Sequence, residues 1–192
     1  MKNKFKLGFV VGRFQLLHKG HEQLINLGLE MCERFVVLIG SSNESRTKDN
    51  PFTFEERKEM IKTIYGDKVE IYPIVNIGIG YVPEWGNYLM NTIKFNCGEH
   101  PDFTVCGTEE GRSEYLKNFE ISQFIVSRDL IKTSATNCRD KLLRDGYCFD
   151  LNDKFDRRIL EKYRNVLIEV TRNDSRIWTS LCYSRYDNIY SR

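Results

Sequence analysis

The chain has 192 residues, 41% of them hydrophobic, enough for one core-bearing domain or one domain with an appended end. Its formal net charge is only +2, so no global field marks it as a nucleic-acid binder. Six cysteines without a CxxC pair (Cys32, Cys97, Cys106, Cys138, Cys148, Cys182) read as reduced thiols of a cytoplasmic protein, not as a disulfide framework or a zinc site. Basic residues 1–6 precede an apolar run too short for a secretory signal, and no window approaches membrane-spanning length.

In chain order, residues 7–11 form an apolar run that reads as a buried strand, followed by a turn at 12–18 and a helix over 19–33. Residues 35–39 read as a second strand, and the polar stretch 40–50 as a loop. Thr53-Phe54-Glu55-Glu56 fits a capping box at the head of a helix over 53–65. A strand over 69–75, a helix over 83–95 with Pro83 in its first turn, strands over 103–106 and 121–126, and a helix over 134–144 follow. This alternation predicts an α/β doubly wound parallel sheet spanning residues 1–150, with ligands bound at the carboxyl ends of its strands. Beyond Gly146 the pattern changes. Phe155, Ile159, Leu160, Tyr163, Leu167 and Val170 make a helical stripe over 151–170, and 175–192 is aromatic and basic. Residues 151–192 are therefore expected to form a C-terminal helical extension packed on the core. No internal repeat or flexible linker interrupts the chain.

Two clusters of chemistry-bearing residues fall at strand-to-helix turns. In Gly12-Arg13-Phe14-Gln15-Leu16-Leu17-His18-Lys19-Gly20-His21, two histidines flank a glycine and an arginine lies just upstream. Imidazole and guanidinium donors beside the unsatisfied N–H groups of a helix start favour anions, and Gly20 lets the backbone approach a phosphate closely. In this reading His18 and His21 are hydrogen-bond donors that stabilise transition-state charge, not nucleophiles. The second cluster is Ile131-Lys132-Thr133-Ser134-Ala135-Thr136-Asn137-Cys138-Arg139. Ser134 reads as an N-cap, and Arg139 one turn in completes another anion site. Ordinary capping and surface roles are the alternative for either cluster taken alone.

These residues resemble the HxGH and ISxTxxR signatures of the nucleotidyltransferase superfamily, with Thr133 in place of the isoleucine. Gly40-Ser41-Ser42-Asn43-Glu44-Ser45-Arg46-Thr47 and Asn50-Pro51-Phe52-Thr53-Phe54-Glu55-Glu56-Arg57 narrow the likeness. With Pro73-Ile74-Val75-Asn76-Ile77 and Trp85, they resemble the archaeal-type nicotinamide mononucleotide adenylyltransferases over residues 8–145. The resemblance implies a Rossmann-like, nucleotidyltransferase-type fold. It implies adenylyl transfer from ATP to nicotinamide mononucleotide, giving NAD and pyrophosphate, with Mg2+ bound mainly through the ATP phosphates and no protein metal ligand.

The same resemblance implies catalytic roles for Arg13, His18, His21 and Arg139. ATP would be held by Gly12, Arg13, Phe14, His18, Gly20, His21, Ser134, Thr136 and Arg139. The mononucleotide would meet Asn50, Pro51, Phe52, Arg57, Asn76 and Trp85, the indole stacking on the cationic pyridine ring. Residues 50–57 also read as a turn, a helix cap and a structural arginine, and Trp85 also reads as core. The chain departs from the pattern at Leu16, where the family has proline, and at Asn76, where it has aspartate. Cys106-Gly107-Thr108-Glu109-Glu110-Gly111 replaces the stretch that contacts adenine and ribose, and Asp49 stands where a basic residue is common, leaving Lys48 or Arg46 for the triphosphate. The implied partners are small-molecule substrates, with neither nucleic acid nor membrane, and the family's tendency to self-associate points to a homo-oligomer. The rivals are another phosphate acceptor (nicotinate mononucleotide, flavin mononucleotide, a pantetheine phosphate), a catalytically silent nucleotide sensor, and RNA binding through Trp178, Tyr183, Tyr186 and Tyr190.

Overall fold

Side-chain alternation along the strands sorts the core into two layers. In strand β1 (Phe5–Gly12), Leu7 and Phe9 join one apolar cluster and Val10 joins the other; in β2 (Cys32–Ile39), Val36 and Leu38 part in the same way from Phe35, Val37 and Ile39. A period of two with both faces buried is the signature of a sheet covered on each side. The computed structural model describes residues 5–79, 82–107, 113–127 and 133–174. Its sheet has five strands in the order β3-β2-β1-β4-β5, with β3 at Glu70–Pro73, β4 at Phe103–Gly107 and β5 at Ser122–Val126. Every pairing is parallel. The chain order reverses between β1 and β4, which puts the switch-point crevice at their carboxyl ends.

Helices α1 (Lys19–Met31), α2 (Phe54–Tyr65), α4 (Ala135–Asp145) and α5 (Arg157–Asn173) contribute Ile25, Met60, Leu142 and Tyr163 to the first layer. Helix α3 (Pro83–Cys97) supplies Leu89, Met90 and Ile93 to the second. Two glycines set the spacing. A Cβ on Gly28 would lie 2.0 Å from the Phe35 ring, and one on Gly86 would lie 1.7 Å from the Tyr115 carbonyl oxygen. Any side chain there forces α1 off β2, or α3 off the turn at Ser113–Leu116.

The predicted elements are all present, with shifted ends. Glu33 belongs to β2, because Cys32 already has extended dihedrals, φ −131° and ψ 170°. The expected helix from Leu151 begins at Arg157. Asn152 turns the chain by accepting from the Lys154 N–H, and Asp156 caps α5 through the Ile159 N–H at 2.9 Å. Leu151 and Phe155 still reach the core from that turn. Tyr163 packs edge-on to Phe52, ring centroids 5.7 Å apart, and Arg164 donates twice to the Leu143 carbonyl near the end of α4. Residues 175–192, with Trp178 and three tyrosines, lie outside the described residues, as do 108–112 and 131–132. Among the described residues, no helix is long and apolar enough to cross a membrane.

Candidate functional site

The first turn leaves β1 under strain. Phe14 has φ +49° and Leu16 has φ +92°, both in the left-handed region that non-glycine residues rarely occupy. The Leu16 N–H donates to the Phe14 carbonyl at 2.9 Å, and Leu16 is fully buried. A proline here has neither the N–H nor a permitted φ, so Leu16 builds this turn in a way that the family's proline cannot copy. His18 takes the N-cap position of α1 in extended conformation. Its ring stacks on that of His21, centroids 3.8 Å apart, and Phe14 braces His21 from 4.8 Å. A Cβ on Gly20 would sit 3.1 Å from the His18 ring and 3.5 Å from Thr133, so glycine lets the two signatures meet.

The second signature is built as the hydroxyl pattern predicts. The Ser134 side chain accepts from the Asn137 N–H at 3.2 Å and caps α4. Arg139 reaches back to the first turn, donating to the Gln15 carbonyl at 2.9 Å and to Thr136 Oγ1 at 3.2 Å. Thr133 gives its hydroxyl a partner in Cys138 Sγ at 3.3 Å, which is how the polar departure from isoleucine is accommodated.

Between the two helix starts lies a cleft of about 220 Å³. All nine residues expected to hold ATP line it: Gly12, Arg13 and Phe14 from the end of β1, His18, Gly20 and His21 from the start of α1, and Ser134, Thr136 and Arg139 from α4. No aspartate or glutamate lines it among the described residues. Burial holds the Arg139 guanidinium below its ordinary value; the charge of Asp140 opposes this and that of Arg13 adds to it. A cleft that carries Arg13 and Arg139, with no carboxylate in its described lining, attracts anions.

The residues expected to meet the mononucleotide divide into two groups. Asn50, 5% exposed, donates to Glu44 Oε2 at 2.5 Å, and Asn76 donates to Glu44 Oε1 at 2.6 Å. Asn43 accepts from the Asn76 N–H, and Tyr88 on α3 accepts from the Val75 N–H. These bonds join the loops after β2 and β3 to α3 in one wall. Trp85, half-buried one turn before Tyr88, packs at the edge of the second core layer, and its indole N–H is buried without a hydrogen-bond partner. Asn50 and Asn76 are thus brought together on Glu44, with Trp85 one turn from the Tyr88 that binds the same loop; none of the three lines the cleft itself.

Phe52 and Arg57 are fully buried, with no surface to offer a ligand, and Pro51 is buried too. Arg57 spends four of its five N–H donors on the carbonyls of Thr53, Arg13, Gly40 and Ser41. Burial lowers its guanidinium to about 10, still charged at neutral pH. It is a staple beneath the turns, in keeping with the structural-arginine reading of residues 50–57. Arg46 is also committed, through a bidentate pair with Glu56 at 2.7 Å for each bond, and Lys48 on the same loop is exposed.

Sequence reasoning missed Gln15 and Glu44. Gln15 is 2% exposed and lines the cleft, yet its side chain accepts from the Phe52 N–H at 2.9 Å and donates towards Asn50 Oδ1 and the Phe52 carbonyl, both at 3.3 Å. Its place inside the first motif, between Phe14 and Leu16, was the available signal. Glu44 carried no signal, because its role depends on two loops meeting.

A parallel sheet reversed at β1/β4, with a cleft lined by histidine and arginine between two helix starts at that reversal, is the arrangement expected of a nucleotidyltransferase. A model of the cytidylyltransferase-like family matches residues 9–146. The nicotinamide-nucleotide adenylyltransferase of Pyrococcus furiosus is 43% identical over 172 residues, covering 84% of this chain and 86% of that protein. That of Saccharolobus solfataricus is 38% identical over 88 residues, 43% of this chain and half of that protein. In structure, the chain is similar to a bifunctional NMN adenylyltransferase/ADP ribose pyrophosphatase from Francisella tularensis, with TM-score 0.74 and 23% identity, over 97% of this chain and 56% of that one. The chain belongs to the nicotinamide-nucleotide adenylyltransferase family of cytidylyltransferase-like proteins.

Proposed function

We propose that this protein transfers the adenylyl group of ATP to nicotinamide mononucleotide, giving NAD and pyrophosphate. The observation that carries the reading is the cationic cleft between the starts of α1 and α4, which has no acidic residue among its described lining and is lined by all nine residues expected for ATP. The relatives' shared activity supports it.

The 5′-phosphate of the mononucleotide is the nucleophile and is ionised near neutral pH, so no general base is needed. One of its oxygens forms a bond to the α-phosphorus of ATP, and the bond from that phosphorus to the bridging oxygen breaks, releasing pyrophosphate. Bringing two anions together costs Coulomb energy, which Arg13, Arg139, His18, His21 and the helix starts offset. The described lining holds no carboxylate, so we assign no protein ligand to the metal there. Magnesium fits this site as an ion carried by the triphosphate, supplying further charge neutralisation. Asn50, Asn76 and Trp85 form the acceptor wall, with Glu44 holding both amides. Cys97, Cys138 and Cys148 are free thiols, and we place the protein in a reducing cytoplasm. Exposed Val75, Ile77 and Ile79 offer apolar surface for a homo-oligomer, which light scattering would detect.

The test is direct. Incubation with ATP, magnesium and each candidate acceptor, with products identified by mass, should yield NAD from nicotinamide mononucleotide. Turnover of flavin mononucleotide or a pantetheine phosphate, with none of pyridine mononucleotides, would overturn the acceptor assignment.

A further inference from the structure

Cys138 and Cys148 lie ten positions apart, at no spacing associated with metal binding, yet the fold brings them together. Their sulfur atoms and a carboxylate oxygen of Asp150 all lie within 4.8 Å of one another. We propose that Cys138, Cys148 and Asp150 form a binding site for a thiophilic divalent cation, with zinc the best match to this donor set.

Four observations carry this. The first is distance: around tetrahedral zinc, with bonds of about 2.0–2.3 Å, donor atoms lie roughly 3.3–3.8 Å apart. Cys148 Sγ is already 3.8 Å from Asp150 Oδ2, so small side-chain movements complete the triangle. The second is burial: Cys138 is fully buried and Cys148 is 6% exposed, which keeps competing water from most of the coordination sphere. The third is charge. Two thiolates and a carboxylate carry −3, a divalent ion brings +2, and Lys141 Nζ stands 3.3 Å from Asp150 Oδ2, so the cluster closes at neutrality. The fourth is a further polar group: three protein donors leave one tetrahedral position, and the Thr133 hydroxyl lies 3.3 Å from Cys138 Sγ, beside it.

The site would tie the two phosphate signatures together. Cys138 precedes Arg139 on α4. The Asp150 carbonyl accepts from the Lys19 N–H at 2.8 Å, and the Phe149 carbonyl from Lys19 Nζ at 2.7 Å, at the head of α1. A bound cation would therefore brace the cleft from behind without entering it. The inference is independent of which acceptor the enzyme uses.

The experiment is a Co2+ titration of the full chain under reducing conditions, followed by displacement with Zn2+. The expected result is one equivalent of tetrahedral cobalt with a thiolate charge-transfer band, bleached by zinc, and a zinc-dependent rise in the thermal midpoint. Cys148→Ser and Asp150→Asn should each weaken binding by at least about tenfold. Cys97→Ser, at a half-buried thiol on α3, should leave it unchanged. If Cys148→Ser does not fold, Asp150→Asn, a near-isosteric change at a half-buried position, decides the matter alone. Cobalt bound only octahedrally, affinity unaltered in Asp150→Asn, or a Cys138–Cys148 disulfide formed with no metal uptake would each overturn the proposal.

Discussion

His21 and Arg57 are both polar residues near the cleft, and the structure gives them opposite duties. His21 lines the cleft, where its ring is held between His18 and Phe14. Removing a donor aimed at transition-state charge costs about 3–4 kcal/mol of barrier, so His21→Ala should lower kcat roughly a hundredfold or more with little change in the thermal midpoint. Arg57 touches no solvent and serves four backbone carbonyls. Arg57→Leu strands several buried acceptors, at about 1–3 kcal/mol each, so its main effect should be on stability. Melting curves alongside single-turnover rates separate the two. A stable, slow Arg57→Leu enzyme would return that residue to the substrate site, and a normally active His21→Ala enzyme would remove His21 from the chemistry.

At the scale of elements, α2 shows how a local signal survives into the fold. Thr53 accepts from the Glu56 N–H at 3.2 Å while the Glu56 carboxylate accepts from the Thr53 N–H at 2.8 Å, the reciprocal box that the spacing predicted. Thr53→Ala should cost about 1 kcal/mol in chemical denaturation. Burial alone would raise the Glu56 carboxyl, but bonds from Arg46 and Thr53 outweigh it and hold the group below its usual range. A carboxyl depressed in the folded state stabilises fully above its unfolded value, about 4.3, and that stability is lost as pH falls through the lower folded value. Glu56→Gln should therefore flatten the acid limb of the stability curve below that pH, and an unchanged limb would show that other carboxylates dominate it. The start of α5 teaches the converse. Its apolar stripe extends back to Leu151, but Asn152 and Asp156 reserve their side chains for turn and cap, so periodicity alone overran the helix by six residues, 151–156. Strand alternation, capping and the two anion turns were legible because each depends on neighbours within a few positions. The structural role of Arg57 was legible but its partners were not, and Glu44 was not legible at all, since Arg13, Gly40, Ser41 and Asn76 come from loops that only the finished sheet brings together.

For the whole molecule, the question is how the cleft and the proposed acceptor wall, on separate loops, would act as one site, and Gln15 joins them. Its carbonyl accepts from Arg139 of the second signature, while its side chain clasps Phe52 and Asn50 of the acceptor loop. The backbone half of this joint depends on the turn, and the side-chain half on the amide, so substitution can cut one and spare the other. Gln15→Leu keeps the volume and the Arg139 bond but leaves the buried Phe52 N–H without a partner, at a cost of about 1–3 kcal/mol in stability. The Asn50 side chain then loses one of its two partners, and the wall it shares with Glu44 and Asn76 loosens. The expected kinetic signature is asymmetric. The KM for the mononucleotide should rise by about tenfold, equivalent to roughly 1.4 kcal/mol, while the KM for ATP moves by less than about twofold. Initial-rate measurements with each substrate varied at saturation of the other test this. Equal rises for both substrates would mean that the substitution disturbs the first turn as a whole. An unchanged acceptor KM in a folded variant would mean that the bonds from Glu44 hold the wall without Gln15.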